Sequence, residues 1–223
     1  MEASFFFQDL IPALNRGLVV SMALIIPSAC MGLAVGIGVG TARAFGGPFA
    51  SRGARAYAAL FRGTPLVIQL FVLYFGLPNI GIYLTPYLAS VIGFTLCSGA
   101  YHSEYIRGGL LSIKKGQVAA AHALGFSTWK TMCHVIIPQA LRRALPGCGN
   151  ELIYLIKYSS LAYIITCIEL TGEGKVLASK TFRFTEVFLV VGLYYLILVS
   201  LATMVLHWLE NRLSVPGFGH SRS

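Results

Sequence analysis

"KKGQVAAAHALGFSTWKTMCHVIIPQALRRALP", Lys114 to Pro146, is the stretch where an otherwise greasy chain changes character. Basic residues, a run of alanines, two lone glycines and two prolines stand together, with long apolar sequence on both sides. The surroundings set the class. Of 223 residues, 56% are hydrophobic and only 11% charged, and the mean hydropathy is +0.73. An ordinary globular domain carries about 25% charged residues. Such a chain belongs in a bilayer, as a single transmembrane domain over 1–223 with little mass outside it.

Uncharged runs predict the spans. Leu18 to Gly40 holds 23 uncharged residues, and about 20 suffice to cross a bilayer. Gly63 to Ser103 holds 41, about two spans. "LPNIGIYLTP" (Leu77–Pro86) divides it with turn residues, giving a second span over Tyr57–Leu77 and a third over Pro86–Gly109. A fourth runs from Pro146 to Ile168 and carries Glu151 and Lys157; a fifth runs from Val187 to Leu206. The expectation is an all-α membrane protein with five transmembrane helices.

Charge orients them. Thr41–Gly63 has Arg43, Arg52, Arg55 and Arg62 without an acid. Glu104–Leu145 has Arg107, Lys114, Lys115, Lys130, Arg142 and Arg143 against Glu104 alone, and the tail adds Arg212 and Arg222. These alternate regions hold twelve basic residues and the other side four. Basic residues favour the cytoplasmic face, so the N-terminus is expected outside, the C-terminus in the cytoplasm, and the opening stretch in the cytoplasm. "MEASFFFQDLIPALN" has no basic start, so the first apolar run is expected to stay in the protein.

Several function classes drop out. The net charge of +9 comes from loops flanking apolar runs rather than from a soluble basic face, which excludes a nucleic-acid partner. Five scattered cysteines form no CxxC or His/Cys cluster, so neither a metal site nor a disulfide framework is expected. "ELTGEGKV" (Glu169–Val176) has Glu where a phosphate loop needs its first Gly and Val after the Lys; it reads as a turn. No catalytic constellation is present, and His102 reads as packing. Gly32, Gly36 and Gly40 recur every four residues on one helix face, a spacing that lets helices approach closely within the chain.

The opening stretch then finds a match. "GQVAAAHALG", nine residues, and "VIIP" resemble the EAA loop of ABC-importer permeases: Ala119-Ala120-Ala121, then Gly125, then Val135 to Pro138. "FRGTPLVIQLFVLYFGLP" (Phe61–Pro78), "EYIRGGLLSIKKGQ" (Glu104–Gln117), "PQALRRALPGCGNELIYLIK" (Pro138–Lys157) and "SSLAYIITCIELT" (Ser159–Thr171) extend the resemblance to the polar-amino-acid branch of that family. The resemblance covers roughly 15–213. It implies the type I, MetI-like importer fold, and a permease without its own nucleotide site that forms the pathway for a polar amino acid. The implied partners are two cytoplasmic ATPase subunits, which bind ATP and Mg, a second permease, identical or related, and an external amino-acid-binding protein. The implied location is the cell (inner or plasma) membrane.

The resemblance also assigns residues. Within 104–146, ATPase coupling falls to Arg107, Gly116, Gln117, Ala119, Ala120, Ala121, Gly125 and Pro138. Alanine favours a helix over Ala119–Ala123, Gly125 suits its C-terminal stop, and Pro138 and Pro146 are expected to redirect the chain. The chain departs from the family at Ala119, where Glu is usual, and at Tyr158, where Asp is frequent. For the substrate pathway the candidates are Lys157, Tyr158, Ser159 and Ser160, with Glu104 and Gln69. Lys157 lies roughly 15–18 Å along the helix from Pro146, near mid-bilayer. A charge there is a functional-site hypothesis; pairing with Glu104 or Glu151 is the structural alternative. An ion-coupled secondary transporter is the rival function.

Overall fold

The computed structural model describes residues 4–213, and every regular element among them is helical. A π-helical turn, Phe5–Leu10, runs straight into α1 (Ile11–Phe45), making one helix of 41 residues. At 1.5 Å per residue this is about 62 Å, about twice a bilayer core. The predicted Leu18–Gly40 span is therefore the uncharged middle of a longer helix.

The glycine stripe is an internal seam. A Cβ at Gly32 would lie 3.0 Å from Ser98, one at Gly36 would collide with His102, and one at Gly40 would lie 2.9 Å from the Ser103 carbonyl. These partners belong to α4 (Pro86–Leu111) and rise in step with the glycines, so α1 and α4 run parallel. Bare glycines bring the two backbones together, and α4 answers with Ser98, Gly99 and Ser103. This central helix ends within two residues of the predicted third span. It is less apolar than the outer helices because its serines, glycines and His102 are buried against neighbours.

The predicted second span is a bent pair rather than one helix. α2 (Pro48–Gly63) meets α3 (Leu66–Phe71) at Thr64-Pro65, and the chain turns there by 103°. Proline drives the residue before it out of the helical region, and Thr64 is extended at φ −112°, ψ 142°. Gln69 holds the corner: its Nε2 donates to the Phe61 and Thr64 carbonyls at 2.9 and 3.0 Å. α3 continues through a π turn, Val72–Gly76, and a 3₁₀ turn, Leu77–Ile80, which Gly81 ends at φ +82°.

After α4 come α5 (Lys115–Ala123) and α6 (Thr128–Thr131), then a π turn, Met132–Ile136, that leads into α7 (Ile137–Tyr158). The fourth span was expected to begin at Pro146, but Pro146 lies inside α7, and the helix stays continuous through it. α7 gives way to a 3₁₀ turn, Ser159–Ile165, which ends at Thr166 with φ +66°. The supposed loop beyond it is largely α8 (Leu170–Thr181), and α9 (Phe184–Leu213) contains the predicted fifth span. The turn expected at Glu169–Val176 is thus the start of α8.

Each of the three π turns among the described residues ends two residues before a proline: Pro12, Pro78 and Pro138. A proline offers no N–H and presses on the carbonyl four residues back; widening the register by one residue relieves that contact. Pro27 and Pro146 sit inside helices without it.

The rest packs around α4. α7 runs antiparallel to it: Gly109 faces Ala140 and Ala144 at one end, and Gly147 meets Tyr105 further along. α9 lies against α7 with Leu206 over Gly149, and against α8 with Val191 over Gly174. Phe5–Phe45 and Phe184–Leu213 are long and apolar enough to cross a membrane. Two bent pairs pass the same test together: α2 with Leu66–Ile80, and Thr128–Ile165 with α8. The 26 residues of α4 extend about 39 Å, long enough as well.

Candidate functional site

α5 is a short helix that ends in a Schellman motif. The Gly125 N–H bonds to the His122 carbonyl at 2.9 Å, the Phe126 N–H to the Ala121 carbonyl at 3.0 Å, and Gly125 has φ +80°. That left-handed residue is where glycine carries no Cβ penalty. Gly116 has ordinary helical backbone and open space around it, so geometry does not demand glycine there. Ala119 and Ala120 are exposed and Ala121 is buried. The helix thus shows a small-residue face outward and rests on the other.

Its footing is the π turn Met132–Ile136 and an apolar cluster that this turn shares with the end of α4 and the start of α7. Ile106, Leu110, Ile136, Ala140 and Ala144 form an apolar cluster against which Val118 packs. Arg143 donates to the Ser112 carbonyl at 2.6 Å, tying the end of α4 to α7. Pro138 stands two residues after the π turn, whose wider register accommodates it inside a continuous helix. Gln117 is partly buried, and its Oε1 has no hydrogen-bond partner.

Arg107 is placed elsewhere. Glu104 and Arg107 stand on α4, and the Arg107 guanidinium bonds to Glu104 Oε1. Glu104 Oε2 also takes Arg43 of α1 at 2.9 Å and Arg62 of α2 at 2.5 Å. One carboxylate therefore gathers three guanidiniums from three helices. Arg107 belongs to this hub rather than to the outer face of α5, and Glu104 is committed to arginines.

The residues proposed for the pathway do not converge. Lys157 is exposed, its Nζ 4.9 Å from the Tyr154 ring centroid, and no ion pair joins it to Glu104 or Glu151 among the described residues. Tyr158 turns inward and donates to Glu151 Oε1 at 2.9 Å. Ser159 and Ser160 each donate to a carbonyl three residues back, Ile156 and Lys157, both at 2.8 Å. Gln69 is the corner clamp described above. Of the six candidates, Lys157 alone is exposed.

Comparison with known proteins decides the family. Residues 32–215 match the family described as binding-protein-dependent transport system inner membrane component. The chain belongs to this family. The glutamine transport system permease protein GlnP of Escherichia coli (strain K12) is 38% identical over 207 residues, covering 92% of this chain and 94% of that one. The probable amino-acid ABC transporter permease protein YckA of Bacillus subtilis (strain 168) is 36% identical over 201 residues, covering 90% and 89%. Among solved structures, an amino acid ABC transporter with histidines superposes at TM-score 0.87 and 29% identity, covering 95% of this chain and all of that one. A chain of the inward-facing MetNI methionine ABC transporter shares the fold at TM-score 0.76 and 21% identity, covering 93% and 99%. The permease thus has the all-helical MetI-like importer fold, and the secondary-transporter rival finds no support.

Sequence reading missed two features of the permease. Leu124 and Trp129 flank the Schellman turn and are 78% and 75% exposed. Their signal was present as large apolar residues in a basic segment. Glu169 opens the stretch that reads as a turn, yet it is fully buried. It caps α8, accepting from the Thr171 and Gly172 N–H groups at 2.9 and 3.0 Å and from the Tyr195 hydroxyl at 3.0 Å. An acid before the first helical turn is a capping signal, and "ELTGEG" carries it.

Proposed function

We infer that this chain is the membrane-spanning subunit of an ATP-binding-cassette importer and forms the pathway for a polar amino acid. The family match and the amino-acid permeases among its relatives support that reading. The observation that carries the coupling role is α5, a helix with small residues facing out, stopped by a left-handed Gly125 and footed on the π turn and the cluster it shares with α4 and α7. It would dock on a cytoplasmic ATPase subunit, which supplies ATP, Mg and hydrolysis; this chain has no catalytic role. Two permeases, alike or related, would work with two ATPases inside and a binding protein outside. Motion of α5 would pass through its footing into α4 and α7 and reorient the pathway. Lys157 would meet a substrate carboxylate, a reading supported by its exposed ammonium at the end of α7.

The topology that fits this reading has five crossings, made by α1, the segment Leu66–Ile80 beyond the α2–α3 bend, α4, α7 with its 3₁₀ turn, and α9. The N-terminus is outside and the C-terminus in the cytoplasm, so α5 lies within an inner- or plasma-membrane protein's cytoplasmic segment, 104–146. Cysteine accessibility at Ser51, Gly81, Gln117 and Glu173 is expected to read in, out, in, out. A periplasmic signal at Gln117 would sink the model of coupling, because the ATPase could not reach α5.

The direct test replaces Gly125 by Val or Asp. Either residue strains the left-handed backbone, so the permease is expected to insert yet lose co-purification with the ATPase or ATP-driven uptake in liposomes. Full assembly with unimpaired uptake in both variants would refute the coupling role.

A further inference from the structure

α2 carries a feature that neither coupling nor transport uses. At about 100° per residue, Ser51, Ala54, Tyr57, Ala58 and Phe61 fall on one face, and these are its partly or fully buried residues. Tyr57 anchors that face by donating to the Leu96 carbonyl of α4 at 2.6 Å. The outward side is divided lengthwise. One edge holds Arg52 and Arg55, both exposed and without a hydrogen bond or ion pair among the described residues. The other edge holds Phe49 and Leu60, 87% and 57% exposed. A helix seated on the protein, with an apolar edge beside a basic one, is built for the boundary between acyl chains and headgroups.

The bend agrees. Two segments at 103° cannot both follow the spans. The uncharged α3 and the π turn after it pack Leu70 and Leu73 against Gly93 in the middle of the bundle, which leaves the arginine-bearing α2 to lie across it. We propose that α2 is an interfacial helix whose Arg52–Arg55 edge binds the headgroups of anionic phospholipids in the cytoplasmic leaflet. The leaflet rests on the orientation inferred above; the lipid chemistry does not.

Charge complementarity selects the occupant. Among the described residues, the acids at the end of the molecule that carries α2 are Glu104, held by three arginines, and Glu210 near the end of α9. Glu151 and Glu169 are buried, Asp9 and Glu173 lie together at the opposite end, and Glu186 stands in the first turn of α9, away from Glu210. A second copy of this chain therefore has little negative charge to offer Arg52 and Arg55. A phospholipid phosphate does, and its acyl chains cover Phe49 and Leu60.

The test uses the full-length chain purified in detergent and titrated with phosphatidylglycerol or phosphatidylcholine, with bound lipid counted by native mass spectrometry. Phosphatidylglycerol is expected to be retained in preference. A basic residue near an anionic surface is worth roughly fivefold in binding, so Arg52→Gln with Arg55→Gln should lower the apparent affinity roughly twenty- to thirtyfold. Arg52→Lys with Arg55→Lys should keep most of it. Neither pair should change the melting temperature in lipid-free detergent, because both side chains lack protein partners. Equal retention of the two lipids, or retention unchanged in the glutamine pair, overturns the proposal. So does displacement of the lipid by millimolar inorganic phosphate, which would mark a small-anion site, or disulfide cross-linking of two copies through Arg52→Cys, which would mark an interface between copies. A wrong orientation is read separately, from the accessibility of Ser51.

Discussion

Lys157, Tyr158, Ser159 and Ser160 are neighbours in sequence but face three different environments. The hydroxyls of Ser159 and Ser160 are spent on backbone carbonyls, Tyr158 serves a buried acid, and Lys157 remains open. Removing the Lys157 charge therefore leaves no acid orphaned. Lys157→Met is expected to assemble and hydrolyse ATP while taking up substrate poorly. Loss of one charge-assisted contact costs about 1.5–3 kcal/mol, roughly tenfold or more in uptake at low substrate concentration. Normal uptake would remove Lys157 from the pathway. Tyr158 behaves in the opposite way. Tyr158→Phe leaves Glu151 Oε1 buried without this donor, at a cost of about 1–3 kcal/mol, and a lower melting temperature in detergent is the expected readout. Glu151→Gln keeps an oxygen that can accept from Tyr158, so it should cost less. A Tyr158→Phe protein as stable as the parent would show that the bond contributes nothing.

Among the elements, the α1–α4 seam depends on the absence of side chains. Gly36 sits where a Cβ would strike His102, while Gly38, two residues on, has nothing within 4 Å. Overpacking at such a contact costs about 1–3 kcal/mol, so Gly36→Ala is expected to lower the melting temperature of the purified chain. Gly38→Ala should be neutral or slightly stabilising, since alanine suits an exposed helix better than glycine. Equal effects at the two positions would mean that the seam is looser than its geometry.

On the scale of the whole molecule, Glu104 joins α1, α2 and α4 just above the foot of α5. Glu104→Gln keeps the shape but leaves three guanidiniums facing one another without a counter-charge. The chain should be destabilised, and adding Arg62→Gln should be less harmful than the sum of the two changes, because it relieves repulsion. Groups in one network typically couple by about 0.5–3 kcal/mol, and a double-mutant cycle in thermal stability measures this. Strict additivity would show that the arginines act independently.

Much of this protein is legible in one dimension because its dominant forces are local or periodic. Apolar runs longer than a bilayer located α1, α4 and α9, since a bilayer rejects charge residue by residue. Glycines at every fourth position declared the seam, and an alanine run before a glycine declared α5 and its stop, because helix propensity and left-handed backbone belong to single residues. The second and fourth spans were misjudged where several elements act together. Whether Pro65 breaks a helix that Pro146 leaves intact depends on what supports the freed backbone on either side. Side-chain pairing lies further beyond local reading. Glu104 meets Arg43 and Arg62 across 61 and 42 positions, and Ser21 meets Glu169 across 148. A buried charge is tolerated where partners converge on it, and only the packing of helices far apart in sequence decides which residues those partners are.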